Sequence, residues 1–159
     1  MEITINENNL QYNEIQEFKS KVRAILINEK NEILIAKYFN LILLPGGKVD
    51  KEETLYTAII RELNEELGVN YNINDLKPFI TINYYQKNYP KADGILTNRL
   101  VQTHYYIGKY IDIKKNSQKL SEKEQKGNFK LELVSIENLN NIIKKIRKIT
   151  QEIYIIKKN

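Results

Sequence analysis

Apolar side chains recur at every fourth position in one part of the chain, at Leu55, Ile59, Leu63 and Leu67, with no Gly or Pro between Thr54 and Leu67. At about 100° per residue this spacing draws a slowly drifting apolar stripe, so the segment is predicted to be an amphipathic helix. Gly68 stands where a left-handed residue ends a helix, and Val69 can fold back onto the last turn. Asp50 or Thr54 can accept the free amide hydrogens of the first turn. Pro45, Gly46 and Gly47 demand a tight loop just before it.

Elsewhere the pattern is that of strands. Ser20 to Asn28 and Ile33 to Tyr38 are β-branched, apolar runs joined by Glu29 to Glu32, a hairpin of buried strands. Leu41 to Leu44 continues as a short strand into the glycine loop. Phe79 to Tyr85 and Arg99 to Ile111 read as two further strands, separated by a loop with Lys87, Pro90, Lys91, Gly94 and Asn98 that could cover a ligand. Asp112 to Asn128 is a polar, lysine-rich connection carrying Glu122 and Glu124, and Phe129 to Val134 is a strand. Ser135 caps a final helix with apolar residues at Ile136, Leu139, Ile142, Ile143, Ile146, Ile149 and Ile153. Met1 to Phe18 is polar, an edge strand with an irregular arm. Together these elements predict an α/β chain, a mixed sheet with a helix on each side, organised as a single domain over residues 1–159.

Composition narrows the classes. With 159 residues, 42% of them hydrophobic, the chain can bury one core, and its 28% of charged residues exclude a membrane span. The absence of cysteine excludes disulfides and thiolate zinc ligation. Met1 to Leu10 lacks the basic and apolar runs of a signal peptide, so a cytoplasmic location is expected. The net charge of +5 favours anionic partners, although Lys, Asn and Ile are abundant throughout.

The candidate chemistry lies on the first helix. Glu62, Glu65 and Glu66 are spaced i, i+3, i+4, so three carboxylates share a face, and each like-charge pair costs roughly 0.2–0.5 kcal/mol. A solvated face would lie opposite the apolar stripe, but Glu66 projects within about 20° of the line through Leu55 and Ile59. Carboxylates beside a core need partners, and a hard divalent cation with oxygen ligands, Mg²⁺ or its substitute Mn²⁺, is the economical one. Arg61 and Glu53, two turns apart, can form an ion pair that braces the loop against the helix.

These residues carry a resemblance. Gly47, Glu53, Arg61, Glu62, Leu63, Glu65, Glu66, Gly68 and Val69 stand at the spacing of the Nudix box, with no departure over the 23 residues from Gly47 to Val69. The resemblance implies an α/β/α sandwich and Mg²⁺-dependent hydrolysis of a nucleoside diphosphate linked to another group. It implies that Glu62, Glu65 and Glu66, with the carbonyl oxygen of Gly46, hold the metal. The family places its general base variably; Glu65 is the first choice, with Glu124 and then Glu122 in reserve. Arg99 and Lys87 are the candidates for phosphate contacts. His104, mid-strand beside Gln102 and Tyr106, reads as a hydrogen-bonded structural residue, Tyr84 and Tyr85 as packing, and Lys144, Lys145, Arg147 and Lys148 as a solvated helix face. The expected partner is a small nucleotide diphosphate rather than nucleic acid or a membrane, with a homodimer left open. A nucleotide-binding module without turnover and an enzyme removing pyrophosphate from RNA 5′ ends are the alternatives.

Overall fold

The computed structural model describes residues 1–138. Seven strands form one mixed sheet: β1 (Glu2–Ile5), β2 (Glu17–Ile27), β3 (Glu32–Tyr38), β4 (Leu41–Leu43), β5 (Leu76–Pro90), β6 (Leu96–Lys109) and β7 (Lys130–Ser135). Their order is β1-β5-β6-β2-β3-β4, with β7 also paired to β3. The β1/β5 and β2/β6 pairs are parallel and the others antiparallel. The first ten residues thus supply the expected edge strand.

Strand β2 alternates in burial, with Val22, Ala24 and Leu26 fully buried between less buried neighbours. These three side chains meet Leu34, Tyr106 and the helix α1 (Leu55–Leu67), whose Ala58, Ile59, Leu63 and Leu67 are also fully buried. A second cluster, Ile33, Ile35 and Val134 with Ile25, Ile27 and Ile42, gathers separately from this core. Because β3 feeds both clusters, its sequence ILIA is apolar at every position rather than alternating.

The β2–β3 hairpin pairs only at Ile27 and Ile33 before the strands part. The loop after β4 takes the vacated ladder: Val22 N–H donates to Gly47 O at 2.9 Å and Ala24 N–H to Pro45 O at 2.8 Å. Val49 N–H in turn reaches Ser20 O at 3.0 Å. The glycine loop is thereby held as a substitute strand.

Two expectations are corrected. Strands β5 and β6 extend well past the predicted ends, so Lys87, Pro90 and Asn98 belong to a long hairpin and not to a covering loop; only residues 91–95 turn. Their ladder is satisfied by backbone pairing that tolerates polar side chains. The connection before β7 contains a short helix, α2 (Glu122–Lys126), capped by Ser121. Ser135 does accept from Asn138 N–H at 3.2 Å, as expected of a cap. The remainder of the predicted last helix and its basic run, Lys144 to Lys148, lie outside the described residues. Among those described, no helix is long and apolar enough to cross a membrane.

Candidate active site

Thr54 is the residue that caps α1: its Oγ1 accepts from Thr57 N–H at 3.1 Å, while Gly68 closes the helix at φ 69°. Asp50 serves the loop instead, donating its N–H to Glu53 Oε2 at 3.0 Å. The predicted brace is present. Arg61 Nε donates to Glu53 Oε1 at 2.8 Å and Nη2 to Oε2 at 3.0 Å, a bidentate pair, and Nη2 also reaches Lys48 O at 3.0 Å. The guanidinium holds the Glu53 carboxyl below its usual range, and Glu53 raises Arg61 further.

The acids of α1 open onto a cavity of about 360 Å³ whose lining includes Gly46, Gly47, Glu62, Glu65, Glu66 and Glu124. Glu66 is 4% exposed, beside the apolar stripe as its position demands, and its Oε2 accepts from Gly46 N–H at 2.8 Å. Burial lifts its carboxyl to about 8, against the opposing pull of that hydrogen bond and of Arg23. Burial likewise raises Glu62, with Arg61 opposing. Arg61 Nη1 reaches Glu62 at 3.0 Å and Glu65 at 3.2 Å, so one guanidinium spans three of the predicted acids.

Two glycines make this packing possible for different reasons. At Gly46, φ is 124° and a Cβ would fall on Val22 O, so neither backbone nor space admits a side chain. At Gly47 a Cβ would strike the carboxylate of Glu62.

Glu124 reaches the cavity because α2 turns back toward it; its Oε2 accepts from Ser121 N–H at 2.6 Å and lies 2.7 Å from Ser121 Oγ. Glu122 points away, pairing with Lys126 at 3.6 Å on the exposed side of the same helix. Lys87 is exposed at an irregularity of the β5–β6 hairpin and lines none of the cavities described here. Arg99 lines an adjacent cavity, where Lys21 also lies. His104 is hydrogen-bonded as expected, its ring nitrogens 3.1 Å from Thr81 Oγ1 and Gln102 Oε1, and it also lines a separate cavity with Tyr56 and Tyr106. Its imidazole is kept below its ordinary pKa by burial.

Sequence reasoning missed Lys21 and Arg23. Arg23 Nη1 donates to Leu44 O at 3.0 Å and to Gly46 O, so the carbonyl expected to face a metal accepts from a guanidinium here. The signal was available: in SKVRAILIN the two cations are two residues apart, which on a strand puts both on the face opposite Val22 and Ala24.

Residues 17–153 match the NUDIX domain family. Over 52 residues the chain is 43% identical to an 8-oxo-dGTP diphosphatase of Escherichia coli (strain K12), covering 29% of this chain and 40% of that protein. Over 56 residues it is 34% identical to an RNA pyrophosphohydrolase of Ruthia magnifica subsp. Calyptogena magnifica, covering 34% of this chain and 31% of that one. These matches therefore span less than half the length of either relative. The crystal structure of a MutT protein from Bacillus halodurans shares the fold, with a TM-score of 0.54 at 15% identity over 76% of this chain and 71% of that one.

Proposed function

Because the chain belongs to the Nudix family, we propose that it hydrolyses the diphosphate of a nucleotide substrate in the cavity beneath α1, with Mg²⁺ or Mn²⁺ as cofactor. The observation that carries this reading is the convergence on one cavity of Glu62, Glu65 and Glu66 from the box, Glu124 from α2 and the backbone of the glycine loop.

The donor set fits a hard divalent ion: every candidate ligand is an oxygen, and Glu62 and Glu66 are carboxylates whose charge burial opposes. A cation supplies the compensation that desolvated carboxylates lack. Among the described residues no three acidic or histidine side chains already stand together at metal-binding distance. Glu62 and Glu65 lean on Arg61 Nη1 instead, so joining Glu66 around an ion requires both to change rotamer. Arg61 stays anchored when they do, because Nε and Nη2 remain on Glu53.

Bound there, the ion would neutralise phosphate oxygens and acidify an attacking water. Glu65, the most exposed of the three box acids, would take the proton of the attacking water as it adds to phosphorus, while the anhydride P–O bond breaks and the phosphate leaves. Glu124 is the reserve base, because its Oε2 is already engaged by Ser121. Arg23, itself on the cavity wall, positions Gly46 through the carbonyl oxygen. Glu65→Gln and Glu66→Gln proteins are expected to keep their far-ultraviolet spectrum yet lose about 10²-fold or more in turnover, the scale of lost acid–base assistance. Wild-type turnover in both would remove these acids from the mechanism.

The surplus of positive charge and the similarity to an RNA pyrophosphohydrolase support a second reading, removal of pyrophosphate from a 5′-triphosphate RNA end. Activity on such an end that is independent of salt would exclude electrostatic capture of RNA.

A further inference from the structure

The last turn of α1 is unfavourable by itself. It places Glu65 and Glu66 at the negative end of the helix dipole and has no basic residue there. Its final four carbonyl oxygens have no partner within the helix and must be satisfied from beyond it. Gly68 N–H serves Asn64 O at 2.9 Å. Residues 114–119 serve the other three: Lys119 N–H donates to Glu65 O at 2.8 Å, the Gln118 side-chain amide to Glu66 O at 2.5 Å, and Lys114 N–H to Leu67 O at 2.9 Å. The segment lies so close that a Cβ on Gly68 would fall on Lys114 O.

This segment leads into the second wall of the acid-lined cavity. Ser121, Lys123 and Glu124 line from α2 and its cap the same space that Glu62, Glu65 and Glu66 line from α1. Carboxylates that share one cavity repel one another. Burial first, with the charge of Glu124 among the lesser causes, raises the carboxyls of Glu62 and Glu66, whereas Lys123 on the same turn acts on Lys21. The acid that α2 carries therefore pushes it outward, and something must hold it in.

Two attachments do so. Beyond α2, Phe39 N–H donates to Gly127 O at 2.7 Å; before it stand the bonds to the end of α1. Every donor in these attachments is a backbone amide except that of Gln118, which is also the only residue between 114 and 119 that is not exposed. We propose that Gln118 is a positioning residue: by donating to the Glu66 carbonyl it keeps α2 in place, so that Glu124 faces the acids of α1 across the cavity where the diphosphate is cut. This rests on the hydrolysis proposed above and adds to it a residue that touches neither metal nor substrate.

Two double-substitution cycles on the full chain test the proposal, one through turnover and one without it. Gln118→Met keeps the length of the side chain and removes the donor. In Mg²⁺, with ADP-ribose, ATP or a dinucleoside polyphosphate, whichever the wild type cuts fastest, Gln118→Met is expected to lower kcat about tenfold, as misplacement of a group at a site does. Made in the Glu124→Gln protein, the same substitution is expected to cost less than about twofold, because there is no longer a carboxylate to place. A role confined to stability would cost the same in both backgrounds. The second cycle reads hydrogen exchange at the Lys119 amide in EDTA. Exchange is expected to quicken about fivefold in Gln118→Met, the scale of one lost hydrogen bond, and to change little once Glu124→Gln has removed the outward push. Thermal melts establish that each variant folds, and both assays run below the transition. Wild-type behaviour of Gln118→Met, or equal costs in the two backgrounds in either cycle, overturns the inference. A wild type that cuts nothing defeats only the catalytic reading and leaves the exchange cycle to decide this one; a wild type that turns over while both cycles prove additive defeats only this one.

Discussion

Glu66→Gln is expected to stabilise the metal-free protein at alkaline pH while it abolishes the activity proposed above. The Glu66 carboxyl titrates near 8 in the fold against an ordinary 4.5, because burial disfavours its charge. A folded value above the unfolded one means that the native state keeps the proton longer. The associated stability is therefore complete below pH 4.5 and is lost as pH rises through 8. At about 1.36 kcal/mol per pKa unit, the charge costs the native state roughly 1 kcal/mol at pH 5 and roughly 4–5 kcal/mol at pH 8.5. Glutamine has no charge to desolvate, and its amide oxygen can still accept from Gly46 N–H. Urea denaturation of both proteins in EDTA, at pH 5 and pH 8.5, isolates the cost of the Glu66 charge together with its coupling to Glu62 and Glu124, since groups remote from Glu66 titrate alike and cancel in the difference. The variant is expected to gain on wild type by several kcal/mol between the two pH values. Parallel pH dependences, or a variant that is the less stable at pH 8.5, would refute the argument that burial dominates the energetics of this carboxylate. Adding Mn²⁺ should close much of the gap from the wild-type side, because an ion bound to Glu66 removes the same cost.

The two glycines of the loop should fail differently. Gly46→Ala puts a methyl on Val22 O at φ 124° and should destabilise by roughly 3 kcal/mol or more, read as a lowered urea midpoint. Gly47→Ala meets only the movable carboxylate of Glu62, so it should melt near wild type while apparent Mn²⁺ affinity falls about 10–100-fold by titration. Leu63→Ala, at a fully buried position of α1, should cost roughly 2–5 kcal/mol by the same denaturation assay. Glu65→Gln should lose about 10²-fold in turnover and Glu124→Gln less, measured by phosphate release; the reverse order would move the general base to α2.

How far the sequence reveals this molecule depends on whether each residue's role is local. The helix, its glycine stop and the burial of Glu66 follow from one period, because a single apolar stripe fixes which neighbours lie beside it. The Arg61–Glu53 pair follows from spacing around one loop and helix. Strand ends were harder: the outer halves of β5 and β6 carry Lys87, Asn88 and Asn98, and their pairing comes from a partner strand rather than from any apolar alternation. Lys21 and Arg23 were hidden for a related reason. Read as a wholly buried strand, SKVRAILIN gives no cause to ask what its second face meets, and the answer lies in β6 and in the glycine loop, distant in sequence. Glu122 and Glu124 differ only by which side of a one-turn helix they occupy, which no periodicity resolves at that length.

The loop that stands in for a strand has a kinetic corollary. The amides of Val22 and Ala24 face the gap where β2 and β3 part, yet both are spent on Gly47 and Pro45. They should exchange with deuterium as slowly as amides of the central ladder, and only when the floor of the cavity comes away from β2. A substrate that seats against Gly46 would then lower their exchange rates without touching either residue, so these two protons report occupancy of the cavity from inside the sheet.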